Sequence, residues 1–264
     1  FWESFMLKRS FAALACLATT GTAQLDWRIG TSHATLGPGL LVYDAARSKV
    51  VSVGGDVLEW DGQWVARPTS RPPQAMFAAT YDGDRQRVVA ISTTWDLSRR
   101  RNEYALFDYD GVRWTAWPPS VVPGSFMVSI CYDPTRRELV VIGRADIGSG
   151  PTRMWRVSAQ GTWRMENSPQ PPDRDFAPMA FDSRRQVLVL HGGYRFDPRQ
   201  TQNLRDTWEW DGARWREVTI GGSPPPRGLH GHAATWDERQ ERLVVYGGET
   251  DWEGDGVFAP DDVF

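Results

Sequence analysis

Cysteine is nearly missing from this chain: two of its 264 residues are cysteine, and Cys16 falls in an N-terminal stretch that reads as a processed leader. With Cys131 left alone, no intramolecular disulfide can form in the mature chain, and a lone thiol among small apolar residues reads as buried filling. An excess of one charge is missing too. Thirty Lys and Arg stand against 33 Asp and Glu, a formal net charge of −3, so there is no electrostatic footprint for nucleic acid or an anionic membrane. No apolar run is long enough to span a bilayer. A Gly-rich phosphate loop, a Ser nucleophile elbow and a Cys-x-x-Cys pair are all absent, and with them the chemistries those motifs carry. What the chain has is 14 Trp, 25 Gly and 18 Pro, which suits many short strands joined by turns and poorly suits a helical protein.

The N-terminus reads as a targeting segment. Lys8-Arg9 is a basic start, Phe11 to Ala18 a short apolar core, and Gly21-Thr22-Ala23 a small-x-small cleavage site. Residues 1–23 are therefore expected to be a signal peptide, with 1–5 upstream of the true start at Met6 and the mature chain beginning at Gln24. A secreted or extracytoplasmic location follows, periplasmic or at the cell surface. Ala13-Leu14-Ala15-Cys16 departs from a lipoprotein box because its Leu sits one place too late, so cleavage without lipidation is expected.

The remainder, 24–264, repeats. First strands end in an aromatic followed by Asp at Tyr43-Asp44, Tyr81-Asp82, Tyr132-Asp133, Phe181-Asp182 and Trp236-Asp237. Three positions after each Asp stand Arg47, Arg85, Arg136, Arg185 and Gln240, as in a tight hairpin opened by a turn-forming Asp. Second strands such as Val187 to Leu190 are apolar on consecutive residues, which implies burial on both faces. Third strands alternate, as in Leu58-Glu59-Trp60 and Trp208-Glu209-Trp210. Turns at Asp61-Gly62, Asp110-Gly111, Gln160-Gly161 and Asp211-Gly212 lead to Trp64, Trp114, Trp163 and Trp215 on fourth strands. Asp-Gly between alternating runs is the strongest two-residue hairpin signal, with positive φ at both central residues. The Asp-to-Asp period of about forty to fifty-five residues is that of propeller blades. These units predict an all-β propeller of four-stranded antiparallel blades at about 36–67, 75–118, 125–167, 174–219 and 227–264. The fifth is incomplete, and the chain is expected to be a fragment of a larger ring in which Leu25 to Ile29 supplies an orphan outer strand.

Di-glycine after the second strand, an aromatic third strand, a Gly turn and a Trp opening the fourth strand resemble kelch repeats. Residues 206–212 read DTWEWDG, the form this third strand takes in bacterial kelch chains. The likeness runs from about Leu36 to the end and is strongest in the fourth unit. Ser92-Thr93 replaces the glycine pair in the second unit, Gly143-Arg144 keeps one glycine in the third, and Gln160 replaces Asp. The resemblance implies a β-propeller like the central domain of galactose oxidase, usually of six or seven blades. It also implies a monomeric module that binds protein or carbohydrate. The alternatives are a carbohydrate-active enzyme, oxidase-like or sugar-acid-epimerase-like, and a structural module of a larger surface protein. A copper-radical oxidase needs a Tyr-Cys cross-link, two His and a second Tyr, and Cys131 in an inner strand does not complete that set.

In a four-stranded meander the connections from second to third strand, and from blade to blade, share one rim. Here that rim carries the variable segments Thr93 to Glu103, Arg144 to Arg153, Tyr194 to Arg205 and Glu249 to Asp261. Loops on a rigid scaffold concentrate function, so Trp95, Arg99, Arg100, Tyr194, Arg195 and Trp252 are candidate ligand contacts. Ordinary solvated loops are the competing explanation. Arg174 and Arg227, just before first strands, could bind a carboxylate at the channel mouth or hydrogen-bond loop carbonyls. His230 and His232, two residues apart, would point the same way on a strand and could supply two metal ligands, although a structural pair is the simpler account. No resident cofactor is expected. Ca²⁺ is the one candidate ion: Asp251, Glu253 and Asp255 take positions one, three and five of a loop, Gly256 the sixth, the Val257 carbonyl the seventh and Asp262 the twelfth. An acidic solvated loop is the alternative there.

Overall fold

Each aromatic-Asp pair ends a strand, and its Asp builds the turn that follows. In the computed structural model, which describes residues 40–67, 72–96, 98, 101–118, 126–146, 149–196, 202–219, 228–246 and 248, the backbone alone is described at 93, 95, 96, 101, 102, 126–128, 145, 146 and 149. Asp44, Asp82, Asp133, Asp182 and Asp237 each accept, through Oδ1, the backbone N–H three residues on at 3.0–3.1 Å. Four of them also accept the N–H two residues on. The last turn residue, Ser48, Gln86, Arg137, Gln186 or Glu241, has a φ of 53–56°. A side chain in that left-handed region costs on the order of 1 kcal/mol, which the two Asp hydrogen bonds offset.

The turns join strands into antiparallel sheets. β1 (Leu40–Asp44), β2 (Lys49–Val53), β3 (Val57–Trp60) and β4 (Trp64–Arg67) form the first, in sequence order. The second holds β5 (Met76–Asp82), β6 (Arg87–Asp96), β7 (Arg101–Tyr109) and β8 (Trp114–Ala116), and the third β9 (Phe126–Asp133), β10 (Glu138–Asp146), β11 (Ser149–Val157) and β12 (Trp163–Met165). In the fourth, β13 (Met179–Asp182), β14 (Val187–His191), β17 (Thr207–Trp210) and β18 (Trp215–Val218) are interrupted by a small hairpin, β15 (Tyr194–Arg195) with β16 (Gln202–Asn203). β19 (Ala233–Asp237) and β20 (Arg242–Tyr246) pair as a two-stranded sheet. The first strands β1, β5, β9, β13 and β19 neighbour one another in turn, so the sheets stand as blades in a propeller arrangement. Four blades are complete, and among the described residues there is no helix. The leader, Leu25 to Ile29 and the rest of the fifth unit lie outside the described residues.

Three expectations need correction. The third-to-fourth turns are not two-residue hairpins with positive φ throughout. Trp60 pairs with Trp64, Tyr109 with Trp114, Val157 with Trp163 and Trp210 with Trp215, leaving loops of three, four, five and four residues in which the glycine alone has positive φ. Asp110 and Asp211 spend their carboxylates on the two N–H groups that follow the glycine, a geometry that keeps the Asp itself at negative φ. In the third blade the residue that takes the Asp role is Ser158, whose Oγ accepts from Gln160 and Thr162, rather than Gln160. Finally, within the segments Thr93 to Glu103 and Arg144 to Arg153, residues 93–96 and 101–103 pair as the ends of β6–β7, and residues 144–146 and 149–153 belong to the ends of β10–β11.

Packing between blades has a direction. At the three junctions between complete blades, the later blade turns an aromatic face back and the earlier one an aliphatic face forward. Tyr109 and Val88 meet Val42, Val51, Val53 and Val57; Tyr132, Leu139, Val141, Trp155 and Val157 meet Val89, Ile91 and Leu106; Leu188, Leu190, Trp210 and Trp215 meet Cys131, Val140, Ile142 and Met154. Burial on both faces of the second strands follows from this double use. Burial also pushes the Cys131 thiol up to about 12.

The recurrent arginine crosses these junctions. Arg47 donates to Asp44 at 2.7 Å and to Glu59 of its own third strand, and lies so close to Gly111 of the next blade that a Cβ there would stand 2.6 Å from its Nη1. Burial alone would raise the pKa of Glu59, but hydrogen bonds from Arg47 and Arg67 outweigh it and hold the carboxylate below its ordinary value. Arg185 repeats the bridge from Asp182 to Glu209. In the third blade the signs are inverted. Arg156 stands where Glu59 and Glu209 stand, and Glu138 receives it at 2.6 Å together with Arg164 at 3.1 Å. Arg136, deprived of a third-strand acid, donates instead to the Asp211 carbonyl of the fourth blade and lies against Gly212.

Two outcomes follow for unfolding in urea. Trp210→Ala, at a wholly buried side chain, should cost about 3–5 kcal/mol, whereas Trp60→Ala, at the same repeat position but 36% exposed, should cost about 1 kcal/mol; equal costs would contradict the directional packing. Arg156→Glu alone should destabilise by about 1–2 kcal/mol, and adding Glu138→Arg should recover at least half of it. Additive losses in that cycle would mean the inverted pair is incidental.

Candidate functional site

The two rims are built differently. On one, short turns clasp their neighbours: Asp84 with Arg137, Arg184 with Glu241, Ser183 with Glu238, and the Tyr81 hydroxyl accepting the Ala46 N–H at 3.0 Å. On the other, the second-to-third connections differ in every blade. The β2–β3 ladder closes at Val53 opposite Val57, nine residues past Asp44, while β6–β7 runs to Asp96 opposite Arg101, fourteen past Asp82, and β10–β11 to Asp146 opposite Ser149, thirteen past Asp133. Four or five extra residues at about 3.4 Å each carry these arms roughly 13–17 Å further.

The fourth blade does something else on this rim. Gly192 and Gly193 take φ of 63° and 94°, and three segments cross at them. A Cβ on Gly192 would lie 2.7 Å from the Leu229 carbonyl, and one on Gly193 2.7 Å from that of Asp175. Gly193 donates to Leu229 at 2.8 Å, Gly231 to the Phe176 carbonyl at 3.0 Å, and Asp175 and Tyr194 exchange backbone hydrogen bonds.

Ionisable side chains collect at this crossing. Arg174 is wholly buried and donates to the Pro172 and Gly192 carbonyls, both at 3.0 Å, and to both carboxylate oxygens of Asp206 at 3.0 and 2.7 Å. Burial would raise Asp206, yet Arg174, with Trp208 Nε1 at 2.6 Å, holds it below its ordinary value. Arg144, 2% exposed, brings Nε to 2.9 Å from Asp175 Oδ1, out of line for a hydrogen bond. Burial outweighs Arg144 at Asp175, the Asp173 charge adds to it, and the carboxyl is pushed up to about 6. Phe176 has a φ of 52°, an outlier for so bulky a side chain, and stacks on Tyr194 with ring centroids 5.8 Å apart. Tyr194 also faces His230, whose Nδ1 meets Asn203 Oδ1 at 2.9 Å.

Of the residues singled out in the sequence, Arg174, Tyr194, Arg195, His230 and His232 fall within the described side chains. The first two and both histidines share the crossing; Arg195 is exposed on β15, its Nη2 donating to Gln202. Trp95 belongs to β6 by its backbone. Its side chain lies outside the described residues, as do Arg99, Arg100, Arg227, Trp252 and the Ca²⁺ candidates Asp251, Glu253, Asp255, Val257 and Asp262. Arg144, Asp175, Asp206 and His191 were not foreseen. The break in the glycine pair at Gly143-Arg144 was the available signal for the first. Among the described residues no three His, Cys, Asp or Glu side chains gather as a metal site, and no helix is long and apolar enough to cross a membrane.

No protein-family model matches the chain, and no curated protein matches it. Among solved structures it is similar to that of YjhT, with a TM-score of 0.56 and 13% identity over 85% of this chain and 76% of that one. The likeness is one of fold. It supports the propeller arrangement and leaves the rim chemistry to this chain's own residues.

Asp175 gives this site a pH signature. The folded protein holds a proton on Asp175 at pH values where the unfolded chain has released it, so this group's contribution to stability is lost as pH rises from about 4 to about 6. The parent should therefore gain on Asp175→Asn by on the order of 1–3 kcal/mol between pH 7 and pH 4. Urea titrations across that range check it, and a constant difference between the two proteins would contradict it.

Proposed function

We propose that the chain is a secreted, non-catalytic propeller of the kelch type that binds a protein or carbohydrate ligand across the rim of its second-to-third connections. The observation that carries this reading is the contrast between rims. One is closed by self-capped turns of nearly uniform length, and the other raises two hairpin arms and the β15–β16 hairpin from a rigid base. A scaffold that varies one rim and standardises the other separates folding from recognition. The kelch assignment itself draws on the motif at 206–212, the glycine turns and the fourth-strand Trp residues.

A carbohydrate-active enzyme is the second reading, favoured by Asp175, whose carboxyl titrates near 6 beside Arg144 and Phe176. Against it, both members of that ion pair are 2% exposed, so substrate has no direct approach. The oxidase version fares no better, because Cys131 is packed in the apolar junction between the third and fourth blades.

The test is binding of the full chain to a glycan array and to candidate proteins by surface plasmon resonance. Beside it stands a variant whose residues 92–105 are replaced by Gly-Gly-Asp, the first blade's connection. Trimming the arm should weaken binding at least tenfold while the thermal midpoint stays within a few degrees. Unchanged affinity would remove the arms from recognition, and turnover of a sugar or sugar acid by the parent would move the role to the enzyme.

A further inference from the structure

The junction between the fourth blade and the β19–β20 sheet breaks the packing rule of the other three. Nine residues after the first-strand Asp, the forward face carries Val53, Ile91 and Ile142 in the first three blades, and His191 in the fourth. Four residues before the third-to-fourth turn it carries Val57, Leu106 and Met154, and then Thr207. All eight are buried. His191 and Thr207 satisfy each other, Nδ1 to Oγ1 at 2.8 Å. Across from them stands His232, 5% exposed, its ring edge-on to His191 with centroids 5.6 Å apart. Neither of its ring nitrogens has a hydrogen-bond partner. Gly192 and Gly248 hold it: a Cβ on the first would lie 3.0 Å from its Cε1, and one on the second 2.7 Å from its Cβ. Glycine at both places leaves the space that the buried ring fills.

A buried imidazole without partners is costly, and a buried imidazolium more so. Among the described residues, the groups that face His232 offer it no anion. His191 comes from β14 and His230 from its own segment, and behind His191 the Asp206 carboxylate is already neutralised by Arg174. Gly248 brings no charge from the other side.

We propose that this junction is an acid-opened seam: protonation of His232, with His191 opposite it, releases the β19–β20 sheet from the fourth blade while the three apolar junctions stay shut. The proposal is independent of what the rim binds. Burial, with the neighbouring histidines, holds His232 down to about 3 and lowers His191 as well. In the open seam each ring titrates near 6.5. The open state then binds protons that the closed state does not, so His232 weakens closure by about tenfold per pH unit below 6.5, and His191 acts in the same direction.

Amide hydrogen exchange on the full chain tests this, with protection factors corrected for the intrinsic rate at pH 7 and pH 5. Protection in Ala233–Asp237 and Arg242–Tyr246 should fall by about tenfold or more, while that of Val88–Ile91 and Leu139–Ile142 stays within about threefold. His232→Gln should remove most of the fall. A uniform loss across all sheets, or the same fall in the variant, overturns the seam. Should His232→Gln not fold, His191→Val with Thr207→Val restores the pattern of the other junctions and should shrink the fall; an undiminished fall there overturns it equally.

Discussion

A single arginine per blade, three residues after the first-strand Asp, ties together groups that would each be a liability alone. Glu59 and Glu209 are buried carboxylates, and removing the partner of a buried charge costs about 3–5 kcal/mol. Arg47 and Arg185 supply that partner, while the Asp that makes the turn fixes the arginine's own stem. The guanidinium of Arg47 fills the space above Gly111 in the following blade, as Arg136 fills that above Gly212. The Asp, the Arg, the third-strand acid and the next unit's turn glycine are thus one device spread over two repeats. The inversion in the third blade shows the coupling at work: with Arg156 in the acid's place, Glu138 changes sign with it and Arg136 finds a carbonyl instead.

The same directionality governs the apolar packing. An aromatic face meets an aliphatic one at each of three junctions, so these interfaces are head-to-tail, the arrangement that stacks repeats in one direction and closes into a ring where the rotation permits. Trp60 is the informative exception. It occupies the place of Tyr109 and Trp210, yet it is exposed where they are wholly buried. At the fourth junction the backbone crossing at Gly192 and Gly193 also holds the chain by hydrogen bonds to the Leu229 segment.

Local chemistry was legible in the sequence and long-range pairing was not. The aromatic-Asp endings, the glycine turns and the fourth-strand Trp residues mark strand boundaries because each acts within a few residues of itself. The arms were hidden. A hairpin that extends past its sheet has no core face to impose a period of two, so Thr93-Thr94 and Arg101 look like loop. Ser158 was missed because the turn in the third blade is one residue longer and its glycine drew the alignment. Arg144 with Asp175, and Arg174 with Asp206, pair across 31 and 32 residues. Spacing cannot announce such partners: the first pair forms between blades and the second within the fourth unit's crossing.

Two letters per repeat account for much of the rim's relief. The tenth and eleventh residues after the first-strand Asp are Gly54-Gly55, Ser92-Thr93, Gly143-Arg144 and Gly192-Gly193 in the four complete blades. Where both are glycine the strand ends. In the first blade the chain turns back within three residues, and in the fourth it enters two successive positive-φ positions and leaves the sheet to build β15–β16. Where a side chain stands at either place, two successive left-handed positions like those at Gly192 and Gly193 are disfavoured, and there the ladder runs on as an arm. Arg144 is the sharper instance, because the residue that prevents the turn also places a buried guanidinium against Asp175 of the next connection. At Gly143-Arg144 the departure from the glycine pair thus goes with a longer hairpin and a charge at its base, so that arm and inter-blade ion pair share one position.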